Sequence, residues 1–568
     1  MAATNGHNGE RERDQRKHVV IIGAGAAGMS CASTLSQHPD KFKVTMIERM
    51  AVCGGQATSI SIDKSRFGTD WMNDGVQGGS PHTFNFFKTY GHVPKEVKLQ
   101  VSFGKGTDGF WTNCFPSKLI EQFSGDIKKF GRVLNIIRWT MPILGIVPVR
   151  VMLRMFFFSK DFGDKMVYPL IALFLGTGNQ TANVSCAILE RLFNDPNMKL
   201  WDYDPETLLP NLPTMVTFPN LHNFYEDFRK DLEKKGVEIR LQTDVTEILE
   251  RSDDGIVLKT KPFDPDANDR RGVHTGSESR PEYFDELVMC VLADDALKLL
   301  GKTATFRERW VLGGAKFFDD ITVTHSDTAY FQKHYETEFD PKLCAEPKSK
   351  AQEEQIAFSK GEMRGEGDEP SGFRPMYYTK TYQDDPKKIE MSFDVTNYQH
   401  QFRMDHQAET APIAYDHHVF QSIFLDKTNR QHWTMEEIDK SKIIDKKWWH
   451  QLGHRWQHYA RVVPGMLFIN GRKKTWFAGS WTLVVRLPPV LSNSYVQVCG
   501  RGRLANLQEL TCGSNEQNMH ELACVSGIAA AYRLGAEYVK FDDFAEDFFS
   551  KYLLVSHGVI YRRKQKHD

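Results

Sequence analysis

Gly23, Gly25 and Gly28 follow the apolar run Val19-Val-Ile-Ile22 in the spacing Gly-x-Gly-x-x-Gly, and Ala27, Cys31 and Leu35 then recur at helical intervals. A strand, a glycine turn and a helix in that order form a phosphate-binding device. Gly23 serves the tight turn, Gly25 lets a pyrophosphate approach the backbone, and Gly28 lets the helix pack close to the strand. The helix, opening at Ala26 and Ala27, offers free N–H groups and a partial positive charge to phosphate oxygens. The run Lys43-Val-Thr-Met-Ile47 predicts a second strand, and Glu48-Arg49 closes it twenty residues beyond Gly28. A carboxylate there accepts hydrogen bonds from ribose hydroxyls and repels a 2′-phosphate. The pattern predicts an adenine dinucleotide.

The elements around this device belong to a chain of 568 residues, 40% hydrophobic and 26% charged, with 72 Lys+Arg against 73 Asp+Glu. A formal net charge of -1 supplies no overall field for nucleic acid, so no nucleic-acid partner is expected. Nine cysteines occur without a Cys-x-x-Cys pair, which excludes a disulfide scaffold and zinc-ribbon spacing, and no metal site is expected. The first 17 residues are polar and lack an apolar signal-peptide core, which predicts an intracellular protein, cytoplasmic or peripherally membrane-associated.

Beyond Glu48 come Gly54-Gly55-Gln56-Ala57 and a second pair, Gly78-Gly79. A Gly-Gly just past the ribose acid resembles the extended FAD motif of the glutathione-reductase-like proteins, above all the flavin amine oxidoreductase superfamily with its amine-oxidase-like and phytoene-desaturase-like members. The likeness continues through Thr243-Asp-Val245, Phe284–Asp294, Thr475-Trp-Phe-Ala-Gly479-Ser480-Trp481 and Asn518-Met519-His-Glu521. It implies an α/β fold in which a Rossmann-like FAD-binding domain is interleaved with an α+β substrate domain. It also implies FAD contacts at Gly54, Gly55, Gln56, Val245, Gly479, Ser480 and Met519. The sequence departs from the superfamily at Gln56, where arginine is usual, and at Ser480, where an acid is usual. A lysine is common near the flavin, but the aligned strand Ile321–His325 has none, and Lys316 lies just upstream in a loop.

The likeness divides the chain into a tail (1–17), FAD-binding parts (18–90, 216–300 and 471–540), a helical cap (91–215), a substrate domain (301–470) and a C-terminal helix with a basic tail (541–568). Phe284–Asp294 reads as one strand, and Pro262–Glu282 and Glu338–Arg374 read as solvated loops, because both are polar and poor in apolar residues. The apolar segment 133–158 has a charge-free run of only 11 residues, Trp139–Val149, too short for a spanning helix. It reads either as buried helices over the substrate cavity or as a peripheral membrane element with arginines at the headgroups. Phe544, Phe548, Tyr552 and Val555 at helical spacing, followed by Arg562-Arg-Lys-Gln-Lys566, add to the expectation of membrane contact.

No second complete dinucleotide motif is present outside 485–517, so NADPH-dependent hydroxylation is disfavoured. The expected activity is FAD-dependent hydride removal from a lipophilic small molecule, by dehydrogenation, desaturation or double-bond isomerisation, with oxygen or a carrier as electron acceptor. Amine oxidation and a non-catalytic flavoprotein scaffold are the alternatives. His325, His418 and Tyr378 are candidates for proton relay, none of them assigned as a base, and Cys53 is not expected to tether the flavin. Residues 485–517 interrupt the closing motif. Removing them joins Trp481-Thr-Leu-Val484 to Asn518-Met-His-Glu521, and their codons accommodate splice-site sequences at both ends. They read as a translated intron.

Overall fold

A computed structural model describes residues 14–74, 81–175, 180–194, 200–267, 272–363, 371–404, 413–425, 427–482 and 519–562. The pair Gly78-Gly79, the stretch 485–517 and the basic tail beyond Arg562 lie outside the described residues.

Five parallel strands form one sheet in the order Thr475–Phe477, Glu286–Met289, Lys17–Ile22, Phe42–Ile47 and Glu238–Arg240. Val19, Val20 and Ile21 are wholly buried, because helices cover both faces of such a sheet and its central strand must be apolar throughout. Ile22 lies opposite both Ile47 and Met289, and Met289 lies opposite Phe477. Four strands therefore end flush, and their carboxyl ends open onto one crevice, the usual ligand position in an α/β sheet. On one face the helices Ala26–Leu35 and Met519–Leu534 pack closely. A Cβ on Gly527 would stand 2.0 Å from the Ala27 carbonyl, so that helix contact requires glycine.

A second sheet of seven strands runs Ile443–Leu452, Phe317–His325, Phe420–Phe424, Ile389–Asp394, Tyr377–Thr381, Val101–Phe103 and Trp111–Thr112. Helices between Lys118 and Asn194 share its largest apolar cluster, with Phe130, Val133, Ile137, Val149, Met152 and Ile188 packed beside Tyr377, Met391 and Phe393. The segment 133–158 falls within the helices Ser124–Trp139, Met141–Leu144 and Val149–Met155 and the turn after them. Among the described residues no helix is long and apolar enough to cross a membrane.

Four sequence expectations are corrected. Phe284–Asp294 is two strands and a helix start. Asp285 breaks the run, its carboxylate accepting the His18 N–H at 2.7 Å, and Asp294 belongs to the first turn of helix Ala293–Leu300. Pro262–Glu282 is not simply loop, since strand Ile256–Asp264 extends into it and Val273–His274 pairs back onto that strand. Glu338–Arg374 contains the Ser349-capped helix Lys350–Lys360, and Leu343 and Phe373 are buried with Phe110, Cys114 and Phe115. The stripe on the C-terminal helix is turned inward beyond Phe544, with Phe548 and Val555 half-buried. Phe549, Tyr552 and Leu553 are fully buried and the Tyr552 hydroxyl bonds Thr482 at 2.7 Å, whereas Phe544 is exposed, so that helix packs on the core.

Candidate functional site

At the crevice, Gly25 caps the helix Ala26–Leu35 in extended conformation (φ -74°, ψ -176°) and bridges to Gly54. The Gly54 N–H donates to the Ala24 carbonyl at 2.9 Å. A Cβ on Gly55 would lie 3.1 Å from the Gly25 Cα, so the two glycine turns are backbone against backbone. Gly28 would place a Cβ 1.9 Å from the Gly23 carbonyl, and Gly23 itself has φ +100°, open to glycine. Ala26 and Ala27 form the first turn, whose N–H groups are free for an anion.

Glu48 is buried at the end of its strand. Its Oε2 accepts the Ala24 N–H at 2.7 Å and its Oε1 the Met50 N–H at 2.9 Å. Burial raises its pKa, and the two N–H groups oppose that rise. Each oxygen keeps a lone pair for a ribose hydroxyl. Arg49 is exposed beside it. Val245 is buried in strand Thr243–Arg251, and Thr243 N–H donates to the Glu48 carbonyl at 3.0 Å, which brings this strand to the crevice edge. Gly479 and Ser480 follow strand Thr475–Phe477, and the Gly479 N–H donates to Ser526 on the helix that Met519 opens. Cys53 is buried, which pushes its thiol up to about 12 and leaves it protonated at neutral pH. A dinucleotide fits this donor set: two glycine turns without side chains, a helix N-terminus and a buried carboxylate converge at the strand ends.

The seven-stranded sheet meets the crevice through the hairpin Thr58–Ser61 and Trp71–Asp74. Asp74, 1% exposed, lies 2.8 Å from the Lys447 ammonium, and its other oxygen accepts from Gln421 Nε2 at 3.0 Å. Lys447 also donates to Thr58 at 2.9 Å and lies 4.3 Å from the centroid of the Trp449 ring. Gln399 brackets Asn73, accepting its N–H at 2.8 Å and donating to its carbonyl at 2.9 Å. Gln56 donates to the His450 carbonyl at 3.4 Å, linking the second glycine turn to the strand that carries Lys447.

Strand parity decides which residues reach this interface, because successive side chains point to opposite faces. Thr324, Gln421, Phe393 and Tyr377 lie in one cross-strand row, and Lys447, Thr322, Ile423, Met391 and Thr379 in another two residues along. Both rows face inward. His325, Ser422 and Tyr378 have the opposite parity and face outward. His325 is wholly buried, bonded to Ser422 at 3.1 Å, and burial lowers its pKa to about 3. Tyr378 is enclosed by Phe331, Tyr335 and Phe420. His418 is held by Asp394 at 2.7 Å, which, against the penalty of burial, raises its pKa. None of these three relay candidates reaches the crevice. Sequence reasoning missed Lys447, Asp74 and Gln421, since only strand register could have brought them together.

His450 fastens the two sheets. Its ring bonds Asp294, at the start of the helix after Met289, at 2.9 Å, and Asp319 on the neighbouring strand at 2.5 Å. Those carboxylates raise its pKa to about 9. A group raised from about 6.5 when unfolded contributes its stability fully below that value and loses it as pH rises through the folded value. The melting temperature is therefore expected to fall more steeply between pH 6.5 and 9 in the wild type than in His450→Gln. Equal slopes in melting curves across that window would refute the clamp.

Residues 21–90 match the family model described as an NAD(P)-binding Rossmann-like domain. No curated protein sequence matches the chain. Cyclohexylamine oxidase from Brevibacterium oxydans IH-35A is similar in structure at TM-score 0.50 and 11% identity, over 91% of this chain and 99% of that chain. The chain has the amine oxidase fold. Wild-type putrescine oxidase bound to putrescine is similar at TM-score 0.50 and 12% identity, over 91% and 99% of the two chains. A CLA-producing fatty acid isomerase from P. acnes is similar at TM-score 0.48 and 16% identity, over 85% and 98%. This fold accounts for the interleaving of the two sheets along the chain.

Proposed function

We propose that the chain is an FAD-dependent oxidoreductase that removes a hydride from a lipophilic small molecule, by dehydrogenation, desaturation or double-bond isomerisation. The observation that carries the reading is the close approach of Gly25 to Gly54-Gly55 beside the buried Glu48, at the edge of a second sheet whose inner face sets Tyr377, Phe393, Met391 and Ile423 among a few polar side chains. Gly23, Gly25, Ala26, Ala27 and Gly28 would hold the pyrophosphate, Glu48 and Arg49 the adenosine ribose, and Val245 the adenine. Gly54, Gly55, Gln56, Gly479, Ser480 and Met519 would hold the flavin half. Bound FAD supplies a hydride acceptor at its N5. Tyr377, Phe393 and Met391 on the inner face would bind an apolar substrate and exclude water.

Amine oxidation is the second reading, and Lys447 favours it. The lysine absent from Ile321–His325 would be supplied by Lys447 on the neighbouring strand, held on the inner face by Asp74. The two readings are separated by anaerobic addition of an unsaturated fatty acid or a primary amine to the purified holoprotein. Bleaching by the amine that recovers in air supports the oxidase. Bleaching by the fatty acid, or a rearranged product without net bleaching, supports the lipophilic reading, and silence toward both favours a scaffold. A colourless protein that cannot be reconstituted with FAD would overturn the proposal. Lys447→Met is expected to keep its flavin and lose at least about tenfold in anaerobic reduction rate, about 1.4 kcal/mol in barrier, with partial recovery in Lys447→Arg. An unchanged rate would leave Lys447 a structural ion pair.

A further inference from the structure

The helical layer presents an unpartnered apolar face. Trp139 is 65% exposed, Ile143 72% and Phe157 88%, and Ile136, Val151 and Met155 are exposed with them. These side chains occupy three consecutive helices and the turn that ends them, whose opposite sides are anchored in the core by Val133, Ile137, Val149 and Met152. The apolar face is therefore not a by-product of loose packing.

Phe157 shows that its exposure is built. Its φ of +54° lies in the left-handed region, which a bulky side chain rarely adopts. Lys129 donates to its carbonyl at 2.7 Å and lies 4.5 Å from the centroid of the Phe158 ring, which stacks on Phe162. Phe156 and Phe158 turn toward the core while Phe157 is held outward between them. A strained conformation that exposes an aromatic ring points to function at the ring.

The charge around the face identifies its occupant. Residues 127–160 contain seven Lys and Arg and no Asp or Glu, in a chain whose formal net charge is -1. Lys128, Arg132, Arg150, Arg154 and Lys160 are exposed. Ser185 donates to both Gly145 and His454, so the corner that carries Arg455 and exposed Trp456 lies beside the same helices, and the Arg150 charge acts on Arg455. Aromatic and aliphatic side chains ringed by cations fit the interface of a bilayer, where rings enter the acyl boundary and arginines meet headgroup phosphates. A protein partner of this apolarity would need acids to match these cations; an anionic lipid surface supplies both chemistries at once.

We propose that the face formed by Trp139, Ile143 and Phe157, ringed by Arg150 and Arg154, docks the protein peripherally on an anionic membrane. The site reading does not depend on this docking, and flavin absorbance of each variant reports the two separately. The test is co-sedimentation of the full chain with vesicles of phosphatidylglycerol and phosphatidylcholine, compared with phosphatidylcholine alone. The wild type is expected to pellet with the anionic vesicles, and less so in high salt. Trp139→Ser with Phe157→Ser is expected to weaken binding at least tenfold. Arg150→Gln with Arg154→Gln is expected to abolish the preference for anionic lipid. A chain ending at Arg562 is expected to bind as the wild type does, which separates this face from the basic tail. All the substituted side chains are exposed, so the variants are expected to keep the wild-type melting temperature. The proposal falls if the wild type fails to bind anionic vesicles, if the serine pair binds unchanged, or if the wild type ignores vesicles and self-associates through this face.

Discussion

Gly25→Ala is expected to leave the apoprotein folded and to weaken FAD binding at least a hundredfold, about 2.7 kcal/mol. Gly25 has φ -74°, which alanine adopts without strain, and the added methyl would meet no protein atom nearer than the Gly55 Cα at 3.7 Å. The space it takes is that of a pyrophosphate on bare backbone. Gly28→Ala is the contrast. Its methyl would stand 1.9 Å from the Gly23 carbonyl, a backbone atom that cannot swing aside. That substitution is expected to cost about 3 kcal/mol of stability, the upper end of what overpacking in a rigid site typically costs, and so to lose stability and FAD together. Titration of each apoprotein with FAD, followed by tryptophan and flavin fluorescence, reads affinity, and thermal melting reads fold. If Gly25→Ala binds FAD as the wild type does, the pyrophosphate does not lie over Gly25 and the proposed cofactor geometry is wrong.

Joining Val484 directly to Asn518 is the second large expected effect. The shortened chain is expected to fold and to bind FAD at least as tightly as the full one. The described residues on either side of the removed stretch already belong together. Gly479 N–H donates to Ser526 at 2.8 Å, Thr482 bonds Tyr552 at 2.7 Å, and the turn Ser480–Thr482 packs against helix Met519–Leu534. Three residues then connect Thr482 to Met519, with a reach of roughly 15 Å at 3.80 Å per step. Parallel expression of the two forms, with absorbance and melting curves, reads the result, and the spliced transcript shows which form the gene makes. A colourless deletion protein together with 485–517 in the major transcript would refute the intron reading.

The dinucleotide device was legible because its signal is local: Gly23, Gly25, Gly28 and Glu48 lie within 26 residues, and each has a steric or electrostatic duty that few residue types perform. Its strands were legible from short apolar runs, which buried parallel strands require. The inward face of the second sheet was not. Whether Tyr377 or Tyr378 faces the crevice depends on register across five strands, and a shift of one residue reverses every assignment. Lys447 and Asp74 lie far apart in sequence, and nothing near either marks it for the other. The helix Lys350–Lys360 was hidden for a different reason: few of its residues are apolar, and its burial comes from Phe110, Phe115 and Phe373, which belong to distant segments. The C-terminal helix was legible as periodic, but where its stripe packs was not: Phe548 and Val555 are half-buried, and Tyr552 is held in the core by Thr482, 70 residues away in sequence.

The order of strands in the parallel sheet also constrains how the protein is made. Among the described residues, strand Glu286–Met289 has its outer edge covered by Thr475–Phe477, which is synthesised after every strand of the second sheet. At about 5–20 residues per second, translation leaves that edge open for roughly 10–40 s. During that interval the nascent chain carries an unpaired apolar strand beside an incomplete crevice, the kind of edge that recruits another chain. A crevice completed by that strand can take up a cofactor only after Thr475–Phe477 is made, and a ribosome that stalls before residue 475 leaves a product prone to aggregation rather than a smaller working protein.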